Sequence, residues 1–202
     1  MLGEGDERFA SGLGEILRAY DVPLLGGDTV RAPGRRVWGC TAVGRATGAT
    51  VPDRRGARVG EAIYVTGMLG RAMLGMDERG SGSANDLAYR RPRPLLAEGQ
   101  ALAGLASAMM DVSDGLLLDA WRMAQASSAH FAIEAAAVPV ADPGRAEECM
   151  RWGDDYQLLF TAPRTAALPV LATRIGTVSA DRTGLSLDGA VLDPDQGLGY
   201  QH

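Results

Sequence analysis

The sequence predicts a mixed α/β or α+β fold, because strand-like stretches alternate with amphipathic helical stretches along its 202 residues. Hydrophobic residues make up 46% of the chain, enough to bury a core, whereas aromatic residues make up only 5%. The core is therefore expected to consist mainly of Ala, Leu, Val and Met side chains. Residues 47–60 are rich in Gly, Pro, Arg and Asp, which predicts a domain boundary and a division into residues 1–50 and 51–202.

The first predicted element is a helix over residues 6–20, in which Phe9, Leu13 and Leu17 repeat at helical spacing. Short apolar or β-branched runs predict strands at 22–25, 36–43 and 61–66. The chain then favours a short helix, 68–76, and a surface loop, 79–86. The later predicted elements are a helix at 95–107, a strand at 108–112, a helix from 113 or 114 to about 127, and strands at 131–134, 157–161, 174–179 and 185–187.

Composition also excludes several classes of chemistry and partner. The net charge of −5 argues against nucleic acid or an anionic membrane as the main partner. The sequence lacks a long apolar run and a signal-peptide pattern, so the cytosol is the expected compartment. All 20 basic residues are arginine, which excludes a Schiff-base lysine and a Walker lysine. Cys40 and Cys149 lack CxxC spacing, so we expect no disulfide framework or zinc site.

Two short acidic turns predict a site for magnesium and a polyphosphate, with ATP as the favoured ligand. Asp28 follows Gly26 and Gly27 at the end of a predicted strand, where glycine allows the backbone to approach a ligand closely. A carboxylate there suits magnesium, which prefers oxygen ligands. Taken alone, an ordinary turn with a side-chain hydrogen bond from Asp28 is the commoner arrangement.

The second turn contains Asp111 and Asp114 on either side of Ser113, where an apolar strand runs into an apolar helix. Carboxylates this close repel each other unless a cation lies between them, and a helix N-terminus offers N–H groups to phosphate oxygens. The alternative is that Ser113 or Asp114 only caps the helix while Asp111 is solvated. Asp119, one turn further along, is expected to lie at the surface.

A third acidic pair, Asp154 and Asp155, follows Gly153 just before a predicted strand, although a polar loop explains this pattern equally well. Arg54 could contact phosphate through its charged fork, but a solvated loop arginine is the commoner role. Because three acidic turns lie beside glycines without His, Cys or Lys, they point together to magnesium-dependent phosphate chemistry.

These motifs resemble bacterial thiamine-monophosphate kinase. The matching stretches follow one another in the family's order across essentially the whole chain: GGDT at 26–29, YVTG at 64–67, RPRP at 91–94, MDVSDGL at 110–116, GDDYQLLF at 153–160 and GYQH at 199–202. The resemblance implies an aminoimidazole ribonucleotide synthetase-like α/β (α+β) fold. Residues 1–50 would then be the remnant of an N-terminal ATP-binding and dimerisation domain, and residues 51–202 a complete C-terminal α/β domain.

The reaction that the resemblance implies is transfer of the γ-phosphoryl group of ATP to thiamine monophosphate, which gives thiamine diphosphate. The implied magnesium ligands are Asp28, Asp111 and Asp114. The implied ATP contacts are Gly27, Asp28, Arg54 and Ser113. The implied contacts with thiamine monophosphate are Asp154 and Tyr200, whose ring offers a flat face to the substrate.

The sequence also departs from the family. Family members carry a further N-terminal segment, which holds nucleotide-side aspartates and builds a homodimer interface, so a truncation or a mis-called start is expected here. The family's two glutamates in its Gly-Gly-Glu-Asp-Tyr-Glu motif correspond to Asp154 and Gln157. Two alternatives therefore stay open: another ATP-using member of the same superfamily, or a catalytically inactive fragment that only binds a nucleotide or a partner.

Overall fold

The computed structural model describes residues 4–30, 33–35, 37–46, 48 and 50–200. The chain divides into two compact units, residues 1–44 and 45–202. The predicted division after residue 50, and the role assigned to the first part, stay predictions.

The first unit contains helix α1 (Glu4–Ala19), which confirms the predicted helix at 6–20. Near it, the rings of Phe9 and Trp38 stack with centroids 3.8 Å apart. The predicted strands at 22–25 and 36–43 are wrong over the residues that can be judged, because 22–25 and 37–43 adopt neither helix nor strand, while residue 36 lies outside the described residues. An apolar run becomes a strand only where a second strand takes up its N–H and C=O groups, and the described residues of this unit supply none.

The second unit contains one sheet and its covering helices. Its strands are β1 (Ala62–Thr66), β2 (Ala108–Asp111), β3 (His130–Ile133), β4 (Leu158–Ala162), β5 (Ala172–Ser179), β6 (Gly184–Leu187) and β7 (Ala190–Leu192). Its helices are α2 (Arg71–Asp77), α3 (Ala84–Arg90), α4 (Leu96–Leu102), α5 (Leu116–Ala126) and α6 (Ala146–Trp152). The strands predicted in this unit are confirmed to within a few residues, whereas β7, α3 and α6 were not predicted. None of the helices in the described part of the chain is long and apolar enough to cross a bilayer.

The predicted surface loop at 79–86 is partly wrong, because α3 begins inside it at Ala84. Asp86 is fully buried and accepts hydrogen bonds from the backbone N–H groups of Gly80 and Gly82. Its carboxylate also pairs with the Arg90 guanidinium, one helical turn further on, at 2.6 Å. This guanidinium holds the pKa of Asp86 well below its usual range. The segment predicted to be a surface loop therefore folds around the buried carboxylate of Asp86.

The sheet has seven strands in the order β2-β4-β1-β5-β3-β6-β7. Neighbouring strands are antiparallel except for β3 and β6, which are parallel. Alternate side chains of β1 enter two different cores, as the two-residue period of a strand requires. Ile63 and Val65 join the large core under α5, whereas Tyr64 stacks on Phe160 in a smaller cluster that includes Leu102 of α4. Both faces of the central strands are therefore covered, and the strand ends are left to form a site.

Candidate active site

The pairing of β2 with β4 brings two acidic turns together that lie far apart in the sequence. The strands are antiparallel with Asp111 opposite Leu158, so the chain leaving β2 lies beside the chain entering β4. The N–H of Val112 donates to the carbonyl of Gln157 at 2.7 Å, and the N–H of Asp154 donates to the carbonyl of Ser113 at 2.9 Å. We call residues 111–115 the aspartate turn and residues 153–157 the facing loop.

A third segment, near residue 200, completes the site. The N–H of Tyr200 donates to the carbonyl of Asp114 at 2.8 Å, which fixes this segment against the aspartate turn. Glycine permits both close approaches. A Cβ atom on Gly199 would lie 2.2 Å from the carbonyl oxygen of Asp114, and one on Gly153 would lie 2.4 Å from that of Ser113.

Together the three segments enclose a cleft of about 670 Å³, a size suited to a small-molecule ligand. Its lining combines aromatic rings, two carboxylates, a hydroxyl and a thioether: Met76, Tyr89, Ser113, Asp114, Trp152, Asp154, Tyr156 and Tyr200. Aromatic faces and carboxylates both favour a cation. The cleft is therefore suited to an aromatic or cationic ligand.

Negative charge converges on Tyr156 in this cleft. Burial raises the pKa of the Tyr156 hydroxyl, and the charges of Asp154, Asp111 and Asp114 raise it further. That hydroxyl donates to Oδ1 of Asp154 at 3.1 Å. Asp154 and Tyr156 have positive φ angles of 56° and 50°, a backbone state that residues other than glycine adopt at a cost. The facing loop thus holds the side chains of Asp154 and Tyr156 toward the cleft in a strained conformation.

A buried carboxylate supports the aspartate turn from behind. Asp119 is fully buried, and its Oδ2 accepts hydrogen bonds from the N–H groups of both Ser113 and Asp114 at 2.9 Å. Its Oδ1 accepts from Arg122 at 3.0 Å, and the same guanidinium nitrogen also donates to Asp114. Burial raises the pKa of Asp119, while the two backbone N–H groups lower it.

Two expectations about this turn are wrong. Neither Ser113 nor Asp114 caps α5 with its side chain. The cap position is occupied by Gly115, which has no side chain that could accept a hydrogen bond. Asp119 does not lie at the surface, because it replaces the missing cap and accepts the turn's N–H groups. Those two N–H groups are already used and so do not serve phosphate.

The chain is similar in sequence to proteins of one known family. Residues 58–185 match the family model described as AIR synthase related protein, C-terminal domain. The chain is 34% identical to thiamine-monophosphate kinase of Escherichia coli (strain K12), over 97% of this chain and 68% of that protein. The chain belongs to the thiamine-monophosphate kinase family.

Solved structures support the same assignment. The crystal structure of thiamine monophosphate kinase from Aquifex aeolicus superposes with a TM-score of 0.65 at 30% identity, over 71% of this chain and 55% of that chain. A structure described as AaThiL complexed with AMPPCP and TMP gives a TM-score of 0.64 at 30% identity, over 71% of this chain and 52% of that chain. The aminoimidazole ribonucleotide synthetase-like fold is thereby confirmed. The chain spans about half the length of these solved chains.

The cleft contains four of the residues that the sequence singles out, Ser113, Asp114, Asp154 and Tyr200. Asp111 is exposed at the end of β2, where that strand leads into the aspartate turn. In the first unit, Gly27 and Asp28 are exposed, and Oδ1 of Asp28 accepts from the N–H of Thr29 at 2.8 Å. The ligand roles of all these residues stay predictions.

Arg54 lies at the other end of α5 from the aspartate turn. Its carbonyl accepts a hydrogen bond from the hydroxyl of Ser127, which follows the last residue of α5, whereas Ser113 precedes the start of that helix. The 11 residues of α5 span about 16 Å at 1.5 Å per residue. Arg54 is therefore not beside Ser113 within this unit, and its contact with phosphate stays a prediction.

Sequence reasoning gave no role to several residues that build the site. Met76 and Tyr89 reach the cleft from α2 and α3, and no local pattern marks them. Asp119 had a usable signal, since an acid directly after Leu116, Leu117 and Leu118 falls within an apolar helical stretch. Gln157 does not line the cleft, because its Oε1 accepts from the Thr66 hydroxyl at 2.9 Å.

Asp155 points away from the cleft and fixes the start of α2. Its two carboxylate oxygens accept hydrogen bonds from the N–H groups of Gly70 at 2.7 Å and Ala72 at 3.2 Å. Burial raises the pKa of Asp155 to about 6, and these N–H groups oppose that rise without cancelling it. The native state therefore holds a proton at Asp155 over a pH range in which the unfolded chain has released it.

This difference predicts how stability depends on pH. The native pKa of Asp155 lies above its ordinary value of 3.8, so its protonation stabilises the native state. This stabilisation is fully present below about pH 4 and is lost as the pH rises to about 6. The free energy of unfolding falls by at most about 3 kcal/mol over this pH range. We expect the stability difference between wild type and Asp155→Asn to change over this range and to be constant above pH 7. Urea unfolding of both proteins between pH 4 and pH 8 measures it, and a constant difference throughout would contradict the assignment.

Proposed function

We propose that this chain takes part in transferring the γ-phosphoryl group of ATP to thiamine monophosphate, with magnesium bound beside the nucleotide. The observation that carries the proposal is the cleft that unites Asp114, Asp154 and Tyr200 with further aromatic rings. Membership of the thiamine-monophosphate kinase family supports it. So does the related structure with AMPPCP, an ATP analogue whose β–γ bridge is a methylene group.

The cleft suits the two aromatic rings of thiamine monophosphate, one of which is cationic. Its thiazolium ring carries a permanent positive charge, which aromatic faces and a nearby carboxylate both stabilise. Trp152, Tyr156 and Tyr200 supply such faces and are 40%, 36% and 59% exposed, so a ligand that covers them also removes apolar surface from water. Asp154 supplies the carboxylate, while Tyr156 holds it in place through their hydrogen bond.

The residues around the aspartate turn fit magnesium by their donor chemistry. Asp111 is exposed and offers hard oxygen atoms, and magnesium with phosphate and water ligands needs only one or two carboxylates from the protein. Within the described residues, no three His, Cys, Asp or Glu side chains gather closely enough to hold a metal ion without other ligands. Asp111 and Asp114 would hold the ion. Asp28, in the first unit, is proposed as a magnesium ligand on the chemistry of its carboxylate. When bound, magnesium would neutralise charge on the phosphates.

The chemistry asks the protein mainly to bind and orient two ligands. A phosphate oxygen of thiamine monophosphate attacks the γ-phosphorus of ATP, the new P–O bond forms, and the bond to the β-phosphate oxygen breaks to release ADP. The attacking oxygen is already largely anionic at neutral pH, since a phosphate monoester has its second pKa near 6. No protein base is therefore needed for the attack.

The direct test is formation of thiamine diphosphate from thiamine monophosphate, ATP and magnesium. Binding of thiamine monophosphate and of magnesium–AMPPCP is measured in parallel by calorimetry on the same protein. Product formation supports the whole proposal, and binding of both ligands without product supports the nucleotide-binding alternative. If folded protein binds neither ligand at millimolar concentration and forms no product, the proposal fails.

We predict that Asp154→Asn weakens the binding of thiamine monophosphate about tenfold or more, because a charged partner is worth about 1.5–3 kcal/mol. Asparagine tolerates the left-handed φ of 56° at this position, so the backbone is expected to be kept. Affinity for magnesium–AMPPCP should change less than about twofold, since charge that does not touch the nucleotide acts weakly through water.

The matched control for this substitution is Glu147→Gln. Glu147 loses the same charge and pairs with Arg151 at 3.0 Å on α6, outside the cleft. Calorimetry should show unchanged affinity for thiamine monophosphate in this variant. Equal weakening by both substitutions would mean that Asp154 acts only through overall charge.

A further inference from the structure

Val112, Ser113 and Asp114 lie between β2 and α5, and each of their backbone N–H and C=O groups has a hydrogen-bond partner. The carbonyls accept from the N–H groups of three other residues: Tyr156 for Val112, Asp154 for Ser113 and Tyr200 for Asp114. The N–H of Val112 donates to the carbonyl of Gln157, and the other two N–H groups donate to Asp119. The facing loop and the segment near Tyr200 are therefore both hydrogen-bonded to the aspartate turn.

The N–H groups of Ser113 and Asp114 share one side-chain acceptor. Both donate to the same oxygen of Asp119, which is fully buried and does not line the cleft. Without this carboxylate the two groups would be left unpaired, and an unpaired backbone group in the interior is costly. The turn would then change its conformation to recover hydrogen bonds.

Arg122 extends this support to a cleft side chain. One guanidinium nitrogen donates to Oδ1 of Asp119 at 3.0 Å and also to Oδ2 of Asp114. The guanidinium therefore links the buried carboxylate to the one that lines the cleft. This link gives the carboxylate of Asp114 a cationic partner that is itself held by Asp119.

We propose that Asp119 and Arg122 are positioning residues that fix the aspartate turn, and through it the orientation of Ser113, Asp114, Asp154 and Tyr200. Neither residue needs to touch a ligand. The ligands named in the test rest on the proposed function, but the structural part of the proposal does not. Residues of this kind typically change ligand affinity or activity about 10-fold to 100-fold.

Amide hydrogen exchange, resolved by NMR, tests the structural part. In Asp119→Ala the amides of Ser113 and Asp114 should exchange about tenfold faster or more, beyond any global loss of stability. Ile133→Ala is the control for global loss, because Ile133 is buried in β3 and does not line the cleft. Unchanged exchange at Ser113 and Asp114 in Asp119→Ala, after correction by this control, would overturn the proposal.

Ligand binding tests the functional part. Asp119→Ala should weaken thiamine monophosphate and magnesium–AMPPCP about tenfold or more at a temperature where it stays folded, and Ile133→Ala should weaken neither. In Asp119→Asn the remaining side-chain oxygen can still accept both backbone N–H groups. The new NH₂ group, however, faces the Arg122 guanidinium, and because both groups are donors they cannot form a hydrogen bond. This variant and Arg122→Met should therefore keep slow exchange at Ser113 and still lose affinity.

The two proposals fail in different ways. If wild-type protein binds neither ligand, the proposed function is wrong, while the exchange experiment still decides whether Asp119 fixes the turn. If wild type binds both ligands and Asp119→Ala binds them equally well, the positioning role is wrong and the proposed function stands.

Discussion

Replacing Asp111 with asparagine should weaken magnesium-dependent binding of AMPPCP on the order of 100-fold, since a bound metal contributes several kcal/mol and each 1.4 kcal/mol is tenfold. Asp111 ends β2 and is exposed, so its carboxylate is available to an ion at the mouth of the aspartate turn. Asparagine keeps the size and one oxygen of the side chain but removes the charge. Calorimetry at fixed nucleotide and varied magnesium measures the effect.

The control must lose the same charge far from the turn. Asp119 is unsuitable because its buried carboxylate holds the turn itself. Asp181 is exposed and follows the end of β5, where Ser179 pairs with His130. The cleft lies at the other end of β5, where its first residue pairs with Thr66 of β1. Asp181 is therefore far from the aspartate turn. Asp181→Asn should leave magnesium-dependent binding unchanged. Unchanged binding in Asp111→Asn would remove Asp111 from the metal site.

Gly153→Ala should lower the free energy of unfolding by about 3 kcal/mol or more and should also disrupt the cleft. Gly153 has φ 92° and ψ −161°, a conformation that is open essentially only to glycine. Its added Cβ would lie 2.4 Å from the carbonyl oxygen of Ser113, so the facing loop and the aspartate turn would have to separate. Urea unfolding and binding of thiamine monophosphate measure the two consequences.

Gly189→Ala measures the cost of a positive φ without a clash. Gly189 has a similar φ of 84°, but no atom lies within 4 Å of its added Cβ. Its substitution should cost only the left-handed backbone penalty, about 1–2 kcal/mol, with ligand binding intact. The excess loss in Gly153→Ala is the sum of the cost of its ψ of −161° and the cost of its contact with the aspartate turn. Equal losses in the two variants would show that this contact can relax.

The sequence by itself predicted most of the secondary structure in the second unit. Apolar stretches of β1, β4 and β5 carry a strand pattern that survives because each strand has partners on both sides. The strands predicted at 22–25 and 36–43 have similar composition but no partner strand within the described residues. Local pattern reports what a segment can form, whereas pairing decides whether it forms.

The acidic turns show the same division. Glycines beside Asp28, Asp114 and Asp154 marked these turns for phosphate chemistry from sequence alone, and the family assignment is confirmed. The sequence did not indicate that Asp155 points to α2 while Asp154 lines the cleft. Adjacent residues diverge because the backbone turns sharply at the positive φ angles of Gly153 and Asp154.

What the sequence determined about this protein is its family and the residue types proposed for its chemistry, because those are stored in short motifs. Only the tertiary structure decided which motifs meet. The antiparallel pairing of β2 with β4 sets the aspartate turn against the facing loop, and the buried carboxylate of Asp119 holds that turn in place. Such contacts join residues far apart in the chain or hidden inside a helix, and their hydrogen bonds exist only once the core has formed around them.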